Sequence, residues 1–436
     1  MSLQKTLEQF LGSCARCAIA RERPFIIGVA GSVGKSSTKT AIGVALGAGE
    51  EGSSVIATKK NYNNELGVPL TIFDCDAPGR SVFAWAGLLS RAWLMRVGIV
   101  PLPARMYVLE MGTDHPGDLS YLTSIAPPNI SVLTAIGPEH TEFFGSVEAV
   151  AGEEVAILRA MKADGVAVTN ADDAIIRQLM TSLTVQNYSF GMAEDATSRI
   201  VESRLVIDEA FPQASGLEIR LSLIGTTKII RLTGMVGRPQ AYAVAAALAV
   251  VSAVDGDESR ALERLEHGFY GMAGRTRLIE GIKRTWLIDD SYNSSPLAAL
   301  SALHDLATFP IQDGCHRIAA LGDMLELGSL AESSHQEVGR AVALNKIDLL
   351  VACGAFASIV AEAAIAAGMP QDRVFTFPES RAAGLFIQDR MKKGDVVLIK
   401  GSQGSRMERI SKELMAHPEK AEELLVRHTR EWIEKE

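Results

Sequence analysis

The segment from Gly31 to Ser36, Gly-Ser-Val-Gly-Lys-Ser, has the residue types and spacing of a phosphate-binding loop. Glycines let the backbone approach phosphate oxygens, and backbone N–H groups at the start of a helix attract anions. In such loops the lysine neutralises phosphate charge, and the hydroxyl that follows it binds Mg²⁺. Val29 stands where the longer form of the motif has a further glycine, so this is a shorter variant. The residues predicted to bind a nucleotide are Gly31, Ser32, Val33, Gly34, Lys35, Ser36 and Ser37.

Two more polar residues follow apolar runs that are typical of buried strands. Glu110 comes directly after Met106–Leu109, and His140 comes shortly after Ile130–Thr134. The carboxyl ends of parallel strands meet at one edge of a sheet, where open α/β sheets build their sites. Glu110 is therefore placed to hold Mg²⁺, and His140 to hold a second metal ion or to contact phosphate. A surface acid and a structural loop histidine are the plainer alternatives.

Apolar runs of strand length alternate with helical stretches, which is typical of a mostly parallel sheet with helices on both faces. The first predicted strands are Phe25–Ala30, Ser54–Ala57, Met106–Leu109, Ile130–Thr134 and Val166–Thr169. Three hairpin strands extend this sheet in antiparallel fashion, at Ile200–Ile207, Leu217–Ile224 and Lys228–Leu232. A second series starts near Thr285, with strands at Trp286–Asp289, Arg317–Leu321, Leu349–Ala352, Val374–Phe377 and Val396–Ile399.

The predicted fold class is α/β, with a P-loop central domain and a Rossmann-like C-terminal α/β domain. A glycine-rich link, Gly268–Gly274, separates the two series of strands. We predict an N-terminal helix over residues 1–24, an ATP-binding central domain over 25–274 and a C-terminal domain over 275–436. A buried alanine-rich helix is predicted at Gln240–Val254, and a charged, exposed helix from Lys420 onwards.

Composition argues against several classes of protein. The net charge of −9 argues against a general nucleic-acid binder, which needs a basic surface. Five cysteines, an odd number in a chain of 436 residues, argue against a disulfide framework and favour the cytoplasm. The N-terminus also lacks the pattern of a secretory signal. Cys14 and Cys17 have C-x-x-C spacing, which fits a redox pair or half of a zinc site, but no second such pair follows.

The most apolar stretch is Ser81–Pro103. Arg91 and Arg96 interrupt it, so it fails the test of ~18 uncharged apolar residues for a membrane span. We predict no stable membrane insertion. A buried or amphipathic helix is one interpretation, and a peripheral membrane contact through Trp85, Trp93 and the arginines is the other.

Taken together, these motifs resemble the Mur ligase family of peptidoglycan synthesis, and most closely its D-alanyl-D-alanine-adding branch. The segments that carry the resemblance include Gly31–Ser36, Asn61–Thr71, Leu109–Gly112, Ile136–Ser146, Asp289–Pro296, Leu321–Gly328 and Lys400–Glu408. The resemblance implies ATP-dependent joining of a carboxylate to an amine through an acyl phosphate, with Mg²⁺. The implied substrates are a nucleotide-linked muramoyl peptide and D-alanyl-D-alanine. We expect a monomer.

The resemblance also implies roles for individual residues, with ATP between the two domains. The implied catalytic residues are Lys35, Glu110, His140, Glu154 and Asp290, and the implied metal ligands are Ser36, Glu110, His140 and Glu154. Beyond the P-loop, the implied nucleotide contacts are Arg275, Asp290, Tyr292 and Asn293. The residues expected on the substrate side are Asn61, Asn63, Asn64, Asp323, Glu326 and Lys400. For Asp323 and Glu326, helix capping is an equally good interpretation.

The sequence departs from the family pattern in three places. Glu154 stands where the family has a lysine that CO₂ converts to a carbamate, and we hypothesise that its carboxylate replaces the carbamate. A solvated glutamate in a degraded site is the alternative. Gln240 and Ala243 replace two asparagines, so an amide contact to ATP is lost or moved. Family members usually open with a separate domain that grips the UDP-sugar, whereas here a short predicted helix precedes Gly31, so we expect either a different mode of UDP binding or a different substrate.

These departures leave two other functions open. One is a related ligase that uses a different acid and amine. The other is a catalytically weakened module that binds ATP and a partner.

Overall fold

The computed structural model describes residues 3–59, 62–79, 81–139, 141–208, 214–428 and 432. The strands of the first sheet are β1 (Phe25–Ala30), β2 (Val55–Ala57), β3 (Met106–Glu110), β4 (Ile130–Leu133), β5 (Val166–Asn170), β6 (Gln186–Gly191), β7 (Ser198–Val206), β8 (Gly216–Leu223) and β9 (Thr226–Thr233). Their order is β2-β3-β1-β4-β5-β6-β7-β8-β9. Pairing is parallel from β2 to β7 and antiparallel among β7, β8 and β9.

Helices cover both faces of this sheet because its strands are apolar on both sides. The helices are α1 (Leu3–Glu22), α2 (Lys35–Ala45), α3 (Gly67–Ile72), α4 (Val82–Arg96), α5 (Asp118–Ile125), α6 (Thr141–Phe144), α7 (Val147–Glu154), α8 (Ala156–Arg159), α9 (Ala174–Met180), α10 (Arg238–Ala253) and α11 (Glu258–Gly268). In β1, Ile26 packs on the face covered by α1, whereas Ile27 and Val29 pack against α2 and α10. The alanines of α10 let it approach the sheet closely, as the buried alanine-rich prediction required.

The second sheet has six strands in the order β10-β11-β15-β12-β13-β14. Their bounds are β10 (Arg277–Gly281), β11 (Thr285–Asp290), β12 (Arg317–Leu321), β13 (Leu349–Cys353), β14 (Val374–Phe377) and β15 (Val396–Lys400). The helices around it are α12 (Pro296–Ala307), α13 (Ala331–Leu344), α14 (Ala357–Ala366), α15 (Ser380–Arg390), α16 (Glu408–Leu414) and α17 (Ala421–Leu424). The α/β class predicted from the sequence is confirmed, while the division into domains at residues 24 and 274 stays a prediction.

Two strands were absent from the sequence prediction. β6 lies between β5 and β7, and its first residues are exposed, which hides the apolar pattern of a buried strand. β10 pairs antiparallel with β11, so the second series starts at Arg277 and not near Thr285. β10 is a five-residue edge strand with only two buried apolar residues, Leu278 and Ile279, so its apolar run is too short to stand out in the sequence.

The helix prediction from Lys420 onwards was wrong for the described part of the tail. α17 has four residues, and the chain after it packs back onto the second sheet. Leu425 is buried, and Arg427 donates to the buried carboxylate of Glu408 at 3.0 Å. Arg427 also donates to the carbonyl oxygens of Ser291 (3.3 Å) and Tyr292 (2.8 Å). The tail therefore supports the loop that follows β11.

The lengths and composition of the helices bear on whether the chain could span a membrane. None of those in the described part of the chain combines the length and the apolar character needed to cross a bilayer.

Replacing Arg427 with methionine should lower the free energy of unfolding by about 3 kcal/mol, because it leaves the carboxylate of Glu408 buried with one partner fewer. Arg406 remains beside that carboxylate at 2.5 Å, so the loss should not exceed this value. Urea unfolding of both proteins measures the difference, with the exposed Lys420→Met as the matched control. Equal losses in the two variants would contradict a supporting role for the tail.

Candidate active site

The phosphate-binding loop joins the end of β1 to the start of α2. Gly31 and Gly34 have φ angles of 125° and 91°, in the region that favours glycine. A side chain at Gly31 would also collide with Thr134 and Ala135, which follow β4. The N–H of Ser32 donates to the carbonyl of Ala135 at 2.7 Å, which holds the loop against that neighbouring segment. The first N–H groups of α2 face outward from this fixed loop, as a phosphate site requires.

The Lys35 side chain folds back over the loop and lies near the carboxylates of Glu110, Glu139 and Glu154. Its ammonium donates to the carbonyl of Gly31 at 2.5 Å and lies 3.4 Å from a carboxylate oxygen of Glu139. Burial alone would lower the pKa of Lys35, but the negative charges of Glu139, Glu154 and Glu110 outweigh it and raise that pKa. Lys35 therefore carries a full positive charge in the site, available to phosphate oxygens.

Ser36 and Glu110 form the part of the site that fits a divalent cation. The Ser36 hydroxyl donates to Oε1 of Glu110 at 2.9 Å, and the buried Oε2 of Glu110 accepts no hydrogen bond from a described residue. The ammonium of Lys39 lies 3.9 Å from that oxygen. A hydroxyl and a buried carboxylate oxygen suit Mg²⁺, which takes oxygen ligands. Within the described ranges, no three His, Cys, Asp or Glu side chains are grouped closely enough to share an ion.

Glu154 lies directly beneath the loop. Its Oε2 accepts the N–H of Gly31 at 2.7 Å, and its side chain is 2% exposed. Burial raises the pKa of Glu154 to about 7, with Lys35 and the Gly31 N–H opposing the increase. The structure thus places Glu154 in the P-loop environment, and the solvated alternative is wrong. Whether Glu154 holds a metal ion stays a prediction. Asn61 and His140, expected at substrate and metal, lie outside the described residues.

A cavity of about 480 Å³ separates the loop from the second sheet. Its far wall includes Arg275, Tyr292 and Asn293, all predicted from the sequence to face the nucleotide. The Arg275 guanidinium stacks over the Tyr292 ring at 4.3 Å, and Arg427 lies 5.6 Å from the same ring. Such a flat, cation-flanked ring can support a nucleotide base.

Lys400, predicted on the substrate side, and Asp290, predicted to contact the nucleotide, are instead engaged behind the cavity wall. Lys400 donates to Asp290 at 2.7 Å and to the carbonyl of Asn293 at 3.0 Å, and it is 2% exposed. The other Asp290 oxygen accepts the N–H of Thr276. This ion pair sets the position of the Tyr292–Asn293 loop, and Lys400 is too deeply buried to meet a substrate in this arrangement.

Of the other residues predicted to contact substrates, some line the cavity and others bind backbone N–H groups away from it. Asn63 and Glu326 line the cavity, and the Asn63 amide approaches Glu110 at 3.4 Å. Asn64 accepts the N–H of Gly67 at the start of α3. Asp323 accepts the N–H groups of Ala355 and Phe356 in the turn before α14, so it holds a neighbouring loop and does not cap the helix that follows its own strand.

Several lining residues were missed by sequence reasoning. Glu139 stands beside His140 in a segment that was already singled out, and its charge next to the P-loop was the available signal. Ser402 and Gly404 follow Lys400 in another such segment. Lys39, which lies beside Glu110 and outside the cavity lining, had no signal, because one buried lysine on a helix resembles any helical lysine.

Gln240 connects the two sheets. Its amide donates to the Arg275 carbonyl and to the Thr276 hydroxyl, both at 2.9 Å. The Gln240 amide therefore holds the link that carries Arg275. Nearby, Asp305 of α12 accepts the N–H of Arg238 at 3.3 Å, at the start of α10. Burial raises the pKa of Asp305 to about 7, although the Arg238 N–H and charge act to lower it.

Comparison with known proteins gives consistent matches. The Mur ligase middle domain matches residues 100–251, and the Mur ligase, glutamate ligase domain matches residues 274–403. The chain is 28% identical to the UDP-N-acetylmuramoyl-tripeptide–D-alanyl-D-alanine ligase of Bacillus subtilis, over 90% of this chain and 76% of that protein. Identity to the enzyme of the same name from Mycobacterium tuberculosis H37Rv is also 28%, over 90% and 73%.

Two solved structures of MurF enzymes have a similar fold. MurF from Acinetobacter baumannii superposes with a TM-score of 0.74 at 25% identity, covering 95% of this chain and 80% of that one. The MurF ligase of Thermotoga maritima in complex with ADP gives 0.73 at 25% identity, covering 93% and 83%.

Asp305→Asn should change how stability depends on pH. A carboxyl with a folded pKa near 7 holds a proton that the unfolded chain releases near pH 4, so the wild type loses stability as pH rises between these values. Asparagine removes this dependence. Relative to the variant, the wild type should lose on the order of 3 kcal/mol between pH 4 and pH 8. Urea unfolding over this range tests it, with exposed Asp313→Asn as control; parallel profiles for wild type and Asp305→Asn would contradict it.

Proposed function

This chain belongs to the Mur ligase family, and we propose that it uses ATP to join the carboxylate of a nucleotide-linked muramoyl tripeptide to the amine of D-alanyl-D-alanine. The observation that carries the proposal is the cavity between the two sheets. A charged lysine and a serine–glutamate pair line one side, and a cation-flanked tyrosine lines the other. The chain's similarity to D-alanyl-D-alanine-adding ligases over 90% of its length supports the choice of substrates.

The chemistry requires a carboxylate to be activated, because it is a poor electrophile. Transfer of the terminal phosphate to its oxygen gives an acyl phosphate, and the amine then displaces phosphate. Lys35 and the N-terminus of α2 attract the phosphate oxygens and offset the repulsion between two anions. Mg²⁺ held by Ser36 and Glu110 would add positive charge at the same oxygens.

The other cavity-lining residues hold the reactants in place. Arg275 and Tyr292 hold the nucleotide from the second sheet, and Asn63 and Glu326 face the cavity where substrates meet. Thr141 donates to the carbonyl of Leu327 at 3.1 Å, so the two walls already touch beside the cavity. Exclusion of water at this junction protects the acyl phosphate from hydrolysis.

Phosphate release from Mg-ATP should require both the muramoyl tripeptide and D-alanyl-D-alanine. Lys35→Ala should reduce this release at least ~100-fold, because it removes a charge aimed at the transferring phosphate. A colorimetric phosphate assay measures both, with the exposed Lys412→Ala as the control. Release that needs a different acid or amine would reassign the substrates, and ATP binding without any amine-dependent release would place the chain among binding modules.

We further propose that Glu154 supplies the carboxylate that a carbamylated lysine supplies in relatives. Phosphate release should then persist at depleted CO₂, fall at least ~10-fold in Glu154→Gln, and become dependent on added bicarbonate in Glu154→Lys. Initial rates across a Mg²⁺ titration test this for all three proteins. Glu153→Gln, which alters a neighbouring acid bonded to the N–H groups of Gly117 and Leu119, is the matched control. Unchanged turnover and Mg²⁺ dependence in Glu154→Gln would overturn the assignment.

A further inference from the structure

Helix α4 carries apolar side chains on its solvent-facing side. Phe83 is 91% exposed, Trp93 50% and Val97 46%. Ala86 and Ser90 stand between them at helical spacing, so these five residues form one continuous stripe. A stripe of this kind is normally turned toward a core or a partner.

The opposite side of α4 already has its core contacts. Leu88, Ala92 and Met95 are buried against the first sheet's helical layer. The outward stripe is therefore surplus to folding. It continues into the turn after the helix, where Ile99 is 67% exposed. We call Val82, Phe83, Trp93, Val97 and Ile99 the α4 patch.

The segment that carries the α4 patch is itself basic, while the acids nearest to it, Glu22, Asp74 and Asp76, belong to other segments. Residues 77–105 contain four arginines and neither aspartate nor glutamate, in a chain whose net charge is −9. Apolar side chains flanked by arginines match the interface of a bilayer that contains anionic lipids. We propose that the α4 patch docks this protein onto an anionic membrane surface. The inference does not rest on the proposed ligase function.

The C-terminal end of α4 is tied to α1. Arg21 of α1 donates to the carbonyls of Met95 and Arg96 at 2.7 Å, which fixes the end of α4. At its other end, the N–H of Ala77 donates to the Tyr62 hydroxyl at 3.0 Å. Tyr62 precedes Asn63, which lines the cavity.

Vesicle co-sedimentation of the full chain tests the proposal. The wild type should bind vesicles of equal phosphatidylcholine and phosphatidylglycerol more tightly than pure phosphatidylcholine, and added salt should weaken that preference. The double variant Phe83→Ser/Trp93→Ser should bind the anionic vesicles at least ~10-fold more weakly. Arg91→Gln should lose about fivefold.

The matched control is Ile224→Ser/Leu344→Ser, which removes two equally exposed apolar side chains elsewhere. It should bind like the wild type, and circular dichroism verifies that every variant is folded. Equal binding by the patch and control variants, equal binding to neutral and anionic vesicles, or no binding by the wild type would overturn the proposal. So would light scattering that shows a wild-type dimer which Phe83→Ser/Trp93→Ser dissociates, since a second copy would then cover the patch.

Discussion

A buried lysine–aspartate pair at the ends of two adjacent parallel strands holds the nucleotide-facing wall in place. Lys400 ends β15 and Asp290 ends β11, and the two residues are direct partners in the strand register. Neither charge could remain buried without the other, because an unpaired ion in a protein interior is costly. Once paired, they fix the Thr276 N–H on one side and the Asn293 carbonyl on the other. The positions of the cavity-lining residues Tyr292 and Asn293 therefore depend on this ion pair.

The opposite wall depends on a similar balance of charges. Lys35 is surrounded by Glu110, Glu139 and Glu154, which keep it protonated although it is buried. The same carboxylates would repel a phosphate group if the lysine were absent. The loop therefore combines a cation that attracts phosphate with acids that hold the cation, and a divalent ion at Ser36 and Glu110 would complete the neutralisation. Glycine at position 31 is essential because Thr134 and Ala135 leave no space for a side chain.

Residues outside the cavity lining hold the two walls in position. Gln240 ties α10 to the link that carries Arg275, and Asp305 meets the N-terminus of the same helix. Arg427, from a tail expected to be exposed, supports the Tyr292 backbone from behind. Gln240 and Asp305 help to set the distance between the two sheets, whereas Arg427 holds the Tyr292 loop in place at the second sheet. Positioning residues of this kind are difficult to recognise in a sequence, since each resembles an ordinary surface or helical residue.

The amino-acid sequence by itself determined the α/β class, most strands and the phosphate-binding loop, because each depends on neighbouring residues. A buried parallel strand is a local apolar run, and Gly31–Ser36 is a continuous motif between a strand and a helix. Only the tertiary structure decided which distant residues meet. Strand β15 lies between β11 and β12, so Lys400 reaches Asp290 across 110 positions, and Glu154 reaches Gly31 across 123. Strand order and burial set those contacts, and the contacts in turn assign Lys400 and Asp323 to the scaffold, while Asn63 and Glu326 face the cavity.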